Sequence, residues 1–159
     1  ALYSAQPCTP DSIADAIWPG RVQKLDTGAL AAIWPYQPIW LDGAHNAHGV
    51  TALAATLRTI HNDKWNVICG ALNTRDPAEI LAPLTPLAGQ VACLTIPDQD
   101  ASLSATEMSD AARYLGLAAS PAATLAACFD LLDQSAPTII CGSLYLAGHV
   151  LIQNETLPT

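Results

Sequence analysis

Positive charge is scarce in this sequence, which has six lysines and arginines against 14 acidic residues and a formal net charge of −8. This balance argues against a nucleic-acid-binding surface, which normally needs a cluster of basic side chains. An anionic ligand is still possible, because a single well-placed arginine can override the overall field. The composition therefore excludes one class of partner and leaves small anions open.

Long apolar runs are also missing, since no stretch of about 18 apolar residues exists that would predict a transmembrane helix. The N-terminus has no basic region followed by an apolar one, so the sequence predicts no signal peptide. Hydrophobic residues make up 51% and charged residues 13% of the 159 positions, which excludes disorder and predicts one domain with a substantial core. The expected location is the cytoplasm.

The cysteines are odd in number and widely spaced, at Cys8, Cys69, Cys93, Cys128 and Cys141. Three of them fall in apolar runs that look like strands. This pattern favours buried, reduced thiols over a disulfide framework.

Two nucleotide-binding motifs are absent. There is no G-x-x-x-x-G-K-[ST] loop, and neither Lys24 nor Lys64 lies in a glycine-rich context. There is no G-x-G-x-x-G after a strand either. The sequence therefore predicts no self-sufficient mononucleotide or dinucleotide site.

Hydrophobic periodicity, caps and turn residues predict strands alternating with helices. The predicted strands are 21–25 (an edge strand), 39–41, 65–69, 91–96 and 137–141, and the predicted helices are 10–17, 47–60, 77–81, 105–115, one opening at 120–121, and 143–152. The segment 26–37 is predicted to be a loop with at most one short turn. Such alternation indicates an α/β fold of Rossmann-like architecture, with a mostly parallel sheet flanked by helices.

The most informative stretch is 40–49, where a buried strand runs through Asp42 and Gly43 into a helix that begins near His45 and Asn46. Free N–H groups at a helix N-terminus favour an anion such as phosphate or carboxylate. A plain strand-to-helix turn with polar caps is the alternative.

Two further strand ends carry a glycine turn followed by polar residues. Gly70 precedes Asn73, Thr74, Arg75 and Asp76, and Gly142 precedes Ser143. In a parallel sheet, the loops after the strands share one edge, so we expect these groups to converge on one ligand. The residues alone predict a pocket for an anionic or nucleotide ligand without a complete catalytic apparatus.

Two other interpretations compete with this one. A zinc site at His45 and His48 lacks a third ligand, so no metal site is predicted. A small hydrolase would use Cys141 or Ser143 as nucleophile with His45 as base, but a strand cysteine is usually core and Ser143 is also a good helix cap. Taken alone, the predicted pocket describes a non-catalytic nucleotide- or anion-binding α/β module, which is the main alternative to an enzymatic function.

Four ordered pieces of the chain carry a resemblance to a known family: residues 18–21 (WPGR), 41–46 (LDGAHN), 70–76 (GALNTRD) and 141–146 (CGSLYL). Read together, they resemble the C-terminal domain of folylpolyglutamate synthase/dihydrofolate synthase, within the Mur ligase superfamily. The matches span positions 18–148, most of the chain.

The resemblance implies an ATP-dependent ligase that joins glutamate to dihydropteroate or a folate. ATP phosphorylates a carboxylate, and the amino group of glutamate then attacks the acyl phosphate. On this expectation residues 1–17 are the remnant of an interdomain linker or helix, and 18–159 form the glutamate ligase domain. The phosphate loop and the ligands of Mg belong to an N-terminal ATP-binding domain absent from the sequence. The isolated domain is then expected to be inactive and monomeric, with that domain, ATP, L-glutamate and dihydropteroate or folate as its partners.

Residue by residue, the resemblance implies that Arg21 and Asp42 contact ATP, the carboxylate of Asp42 being suited to ribose hydroxyls. It places His45 and Ser143 near the glutamate or the transferring phosphoryl group, as catalytic residues. Arg75, also implied as a catalytic residue, stands where the family often has lysine, and either cation can pair with a glutamate carboxylate, with different geometry.

Asn46 and Asn73 are implied as additional ligand contacts. Two departures from the family pattern are visible. Ala47 stands where proline is common, and the segment 26–37 is long between Arg21 and Asp42.

Overall fold

The computed structural model describes residues 20–156, in which six strands form one mixed sheet. The strands are β1 (Gln23–Lys24), β2 (Ile39–Leu41), β3 (Trp65–Cys69), β4 (Ala88–Leu94), β5 (Ala118–Ala122) and β6 (Thr138–Cys141). The helices are α1 (Ala29–Ile33), α2 (Ala47–Ile60), α3 (Pro77–Leu81), a 3₁₀ turn (Ala82–Leu84), α4 (Ala105–Tyr114), α5 (Leu125–Phe129) and α6 (Leu144–Gln153). The predicted helix 10–17 and Cys8 lie outside the described residues.

The sheet has the strand order β1-β2-β6-β3-β4-β5. Strand β1 pairs with β2 in the antiparallel sense, and every other pairing is parallel. This confirms the predicted α/β class, the mostly parallel sheet and the antiparallel edge strand near the N-terminus. Because the last strand, β6, inserts between β2 and β3, these three strands are neighbours and their carboxyl ends lie within one residue of one another in register.

The core lies on both faces of the sheet, because successive side chains of a strand point to opposite sides. In β3, Val67 and Cys69 pack with α2, α3 and α4, whereas Ile68 packs with α1, α5 and α6. The same alternation holds in β6, where Ile139 and Ile140 belong to opposite faces. Burial on both sides explains why these strands read as continuous apolar runs.

Helix α2 follows the prediction residue for residue. The side chain of Asn46 accepts the backbone N–H of Gly49 and caps its start, and Val50, Leu53 and Leu57 form its buried face. Its N-terminus is thereby held directly after the end of β2, at the edge where a ligand is expected.

The helix predicted to open at Ser120 and Pro121 is wrong, since both residues lie in β5. Strand β5 pairs only with β4 and is the edge of the sheet, where proline is tolerated because one side of the strand needs no ladder hydrogen bond. Helix α5 begins instead after Thr124, whose side chain accepts the N–H of Ala127.

Smaller differences concern element bounds. Strand β1 covers only Gln23–Lys24 of the predicted 21–25, and β4 ends at Leu94 rather than at 96. Strand β4 begins at Ala88 rather than at 91, because Ala88 pairs with Trp65 across a register shift in the β3–β4 ladder. The segment 26–37 contains the short helix α1. None of the helices within residues 20–156 is both long enough and apolar enough to cross a bilayer.

Candidate functional site

Three loops follow β2, β6 and β3 at one edge of the sheet. Leu41 pairs with Ile140 and Cys69 with Cys141, so the three strands end side by side. Polar residues of all three loops line two adjoining cavities at this edge. The predicted convergence is therefore present in the structure.

The first cavity, which we call the Arg75 cavity, has a volume of about 150 Å³. Its polar lining comes from His45 after β2, Thr74 and Arg75 after β3, and Ser143 and Tyr145 after β6. The apolar part of its wall includes Leu144. One cation and three hydroxyl-bearing side chains around a small volume suit a carboxylate-bearing ligand of amino-acid size.

The second cavity, which we call the Arg21 cavity, is larger, at about 450 Å³. It is lined by Arg21, Val22, Asp42, Gly43, Ala44, His45, Asn46, His48, Gly49, Ala52, Leu53, Thr56 and Leu144. It therefore runs along the first turns of α2, where free backbone N–H groups favour an anion. His45 and Leu144 line both cavities and form the wall that they share.

The ring of His45 is oriented by a hydrogen bond from its own loop. Its Nδ1 lies 2.9 Å from the carbonyl oxygen of Gly43. A carbonyl only accepts, so Nδ1 carries the proton, and the neutral ring then has an unprotonated Nε2. Since His45 is exposed, Nε2 is available to a ligand as an acceptor, or as a donor when the ring is charged.

Ser143 is the N-cap of α6, and its Oγ accepts the N–H of Tyr145 at 3.1 Å. The side chain is almost fully buried, with 3% of the residue exposed. Its hydroxyl proton remains available for donation into the Arg75 cavity. The cap interpretation and the ligand interpretation of Ser143 are thus compatible.

Gly142 brings the β6 loop close to the β3 loop. Its φ of 111° is one that side chains rarely adopt, and a Cβ there would lie 2.6 Å from the carbonyl oxygen of Gly70. Only glycine permits this approach. The turn therefore sets the distance between Ser143 and the loop that carries Arg75.

Asp42 is 7% exposed, and both of its carboxylate oxygens accept backbone N–H groups. Oδ2 accepts from Val22 at 2.8 Å, and Oδ1 accepts from Ala44 at 2.7 Å. Arg21 lines the same cavity although the intervening segment 26–37 is long, because β1 pairs directly with β2. The inserted segment extends from the opposite end of these two strands.

The two asparagines predicted as additional contacts are placed differently. Asn46 lines the Arg21 cavity, but its Oδ1 already caps α2 through the N–H of Gly49 at 2.8 Å. Asn73 is exposed and lines neither cavity, and its backbone N–H binds the carbonyl of Ala101. Of the seven residues predicted for the site, Asn73 alone lies outside both cavity linings.

The cysteines of the described range are all free and buried. Burial raises the pKa of Cys93 and Cys128 to about 12, and the pKa of Cys69 is raised by its hydrogen bond to Cys141 and by burial. Such thiols are poor nucleophiles at neutral pH. Cys141 lies within the core at the end of β6, behind the cavity wall, which speaks against its use by a hydrolase.

Some lining residues were missed by reasoning from sequence. Leu144 and Tyr145 stand at the cavity wall with 60% and 55% of their surface exposed, and an apolar pair directly after a helix cap was the available signal. Val22 has a φ of 43°, and nothing in the sequence indicates this. No group of three potential metal ligands (His, Cys, Asp or Glu) occurs within residues 20–156.

Comparison with known proteins gives one family and several relatives. The family model described as "Mur ligase, glutamate ligase domain" matches residues 20–144. The chain is 33% identical to the folylpolyglutamate synthase of Lacticaseibacillus casei, in an alignment that covers 94% of this chain and 34% of that protein.

Solved structures of similar fold include the Mycobacterium tuberculosis folylpolyglutamate synthase complexed with ADP. Its TM-score is 0.75 at 22% identity, over 93% of this chain and 35% of that one. The bifunctional folylpolyglutamate synthase/dihydrofolate synthase from Yersinia pestis CO92, complexed with AMPPNP and Mn ion, gives a TM-score of 0.73 at 23% identity, over 94% of this chain and 35% of that one.

The chain thus spans about a third of the length of the relatives that it matches. The family match covers the strands and loops that build both cavities, from Gly20 to Leu144. On this evidence the chain belongs to the Mur ligase family, as a glutamate ligase domain.

Proposed function

We propose that this chain is the C-terminal domain of an ATP-dependent ligase that adds L-glutamate to dihydropteroate or to folates. The observation that carries the proposal is the pair of adjoining cavities with His45 in their common wall. Two ligands bound on either side of one imidazole would meet at that wall. The domain by itself is inactive, and residues 1–17 are the remnant of a linker to an N-terminal ATP-binding domain.

The Arg21 cavity would receive part of the nucleotide. Arg21 is exposed and makes no side-chain hydrogen bond or ion pair with another residue of the range 20–156, so its guanidinium is free for a phosphate or ribose oxygen. The N-terminus of α2 adds a partial positive charge on the same wall. The magnesium ion that accompanies ATP would be held by residues of the N-terminal domain.

The Arg75 cavity would receive the incoming glutamate. Arg75 offers a planar donor pair that matches a carboxylate, and Ser143 offers a hydroxyl proton. His45 would meet the amino group through Nε2. The amine must be neutral to attack, so an unprotonated Nε2 is the suitable acceptor for its proton.

The reaction balances as two displacements. A carboxylate oxygen of the folate attacks the γ-phosphorus of ATP, and ADP leaves to give an acyl phosphate. The glutamate nitrogen then attacks the acyl carbon, the C–O bond to phosphate breaks, and the nitrogen gives up a proton. The products are the amide, ADP and inorganic phosphate.

The test compares His45→Ala with His61→Ala in the full-length ligase that contains this chain. His61 lies at the far end of α2, beside Trp65, and serves as the matched control. We expect His45→Ala to reduce the rate of glutamate incorporation by roughly 10²-fold, and His61→Ala to leave it close to wild type. Wild-type kinetics for His45→Ala would remove this residue from the reaction.

A non-catalytic nucleotide- or anion-binding module is the alternative outcome of the same assay. A protein with that function would bind ATP, but it would incorporate no glutamate and would show no glutamate-dependent release of ADP.

The cellular location that we propose is the cytoplasm. The four cysteines of the described range are free and buried, which suits a reducing compartment.

A further inference from the structure

We infer that Asp42 is a positioning residue, whose carboxylate clamps the loops of Arg21 and His45 onto the end of β2 by holding Val22 in a strained conformation. This inference rests on the proposed nucleotide role of the Arg21 cavity. It assigns Asp42 a task that is separate from direct contact with ATP.

The first observation is the backbone of Val22. Its φ of 43° lies in the left-handed region, which is a genuine outlier for a β-branched residue. Such a conformation persists only where the surrounding structure imposes it, and it is characteristic of ligand sites. Arg21, the residue directly before it, lines the cavity.

The second observation is the set of bonds that impose this turn. The N–H of Val22 donates to Oδ2 of Asp42 at 2.8 Å. Two further bonds hold Gly20, which lies two residues before Val22. The N–H of Gly20 donates to Oε1 of Gln23 at 3.0 Å, and the carbonyl of Gly20 accepts the N–H of Gly43 at 2.6 Å. Among these, the bond to Asp42 is the one that acts on the strained residue itself.

The third observation is the other oxygen of the same carboxylate. Oδ1 accepts the N–H of Ala44 at 2.7 Å, and Ala44 directly precedes His45. One nearly buried carboxylate thus fixes two backbone amides, each next to a side chain that lines the Arg21 cavity. Hydrogen bonds to an ionised acceptor are stronger than neutral ones, which lets this clamp outweigh the preference of valine for negative φ.

An amide in place of the carboxylate breaks the clamp. Asn has one accepting oxygen and one donating nitrogen, so Asp42→Asn can satisfy only one of the two N–H groups. Val22 is then free to relax to a negative φ, and Arg21 moves with it. Glycine adopts a positive φ without this cost, so Val22→Gly should preserve the turn even when the clamp is weakened.

The experiment is a double-mutant cycle in the full-length ligase, with the KM for ATP and kcat as readouts. We expect Asp42→Asn to raise the KM for ATP about tenfold when residue 22 is valine, with a smaller effect on kcat. In the Val22→Gly background the same substitution should raise it only about two- to threefold, because the turn no longer depends on the clamp. Val22→Ala is the matched control, since it also removes the isopropyl group but keeps a Cβ at positive φ.

An equal effect of Asp42→Asn in the valine, alanine and glycine backgrounds would overturn the inference, because Asp42 would then act by touching the ligand directly. Rescue by glycine alone supports it.

Amide hydrogen exchange of the unmodified protein provides a second measurement that needs neither a variant nor activity. We expect the amide of Val22 to exchange much more slowly than that of Arg21, which has no acceptor among residues 20–156. Equal exchange of the two amides contradicts the clamp. Slow exchange of Val22 in a full-length protein that adds no glutamate would support the clamp and reject the proposed function.

Discussion

At the scale of single residues, three loops each present one side chain at the candidate site, and a different local feature places each of them. His45 is oriented by a carbonyl of its own loop, Ser143 by its place as a helix cap, and Arg75 by exposure on the loop before α3. Asp42 and Ser143 are buried and also hold backbone in place, since both carboxylate oxygens of Asp42 and the Oγ of Ser143 accept backbone N–H groups. The exposed side chains of His45 and Arg75, together with the hydroxyl proton of Ser143, are left free for a ligand.

Arg75→Ala in the full-length ligase should raise the KM for glutamate with little change in the KM for ATP. Losing one charge-assisted contact to a carboxylate costs about 1.5–3 kcal/mol, which corresponds to roughly 10- to 150-fold in KM. Steady-state kinetics with each substrate varied in turn measure this. Arg58→Ala, an exposed arginine outside both cavities, is the control and should leave both constants near wild type.

If Arg75→Ala changed both KM values equally, the residue would not discriminate between the two substrates, and the assignment of the Arg75 cavity to glutamate would be wrong.

Gly142 and Gly148 form a matched pair for a stability measurement. Gly142→Ala places a Cβ 2.6 Å from the carbonyl of Gly70 and 2.9 Å from Sγ of Cys69, at a φ of 111°. We expect it to lower the free energy of unfolding by about 2 kcal/mol or more. Gly148 lies in α6 with no atom within 4 Å of an added Cβ, so Gly148→Ala should raise it by about 0.5–1 kcal/mol.

Urea unfolding followed by circular dichroism gives both values. A neutral Gly142→Ala would mean that the loops after β3 and β6 are not in the close contact described.

At the scale of elements, the site depends on β6, which enters the sheet last and lies between β2 and β3. A buried asparagine secures its entry. Asn66 in β3 donates from Nδ2 to the carbonyls of Asp133 and Ala136 at 2.7 and 3.0 Å, and its Oδ1 accepts the N–H of Asp133 at 3.1 Å. The loop that leads into β6 is thereby attached to the neighbouring strand.

Asn66→Ala should destabilise the fold by about 2–4 kcal/mol, because it leaves the carbonyl of buried Ala136 without this partner and frees both backbone groups of Asp133. At this chain length the loss corresponds to a fall in Tm of roughly 5–15 °C. Asn62→Ala changes an exposed asparagine of the preceding loop and should shift the free energy by no more than about 0.5 kcal/mol. Differential scanning calorimetry measures the Tm of both variants. Equal Tm values for the two variants would show that the β6 loop does not depend on Asn66.

At the scale of the whole molecule, the sequence was sufficient wherever local signals agreed. Both ends of helix α2 were predicted correctly, because the cap at Asn46 and the spacing of Val50, Leu53 and Leu57 indicate the same element. The convergence of the three loops followed from the rule that parallel strands end at one edge.

The sequence did not predict the local conformation where contacts between residues distant in the chain determine it. Pro121 reads as a helix start, and only its pairing with Cys93 at the sheet edge makes it a strand residue. The strained φ of Val22 is likewise invisible locally, since it is imposed by a carboxylate 20 positions away. The wall formed by Leu144 depends on how α6 packs against Gly43.

The central claim is that this domain supplies one side of a ligase site and needs the remainder of the longer protein for turnover. The most direct measurement incubates ATP, magnesium, L-glutamate and dihydropteroate or tetrahydrofolate with the 159-residue chain, and in parallel with the full-length ligase. Mass spectrometry then detects products extended by one glutamyl unit. We predict glutamate-dependent product with the full-length protein and none with the chain alone. Robust ATP-dependent product from the chain alone would contradict the account.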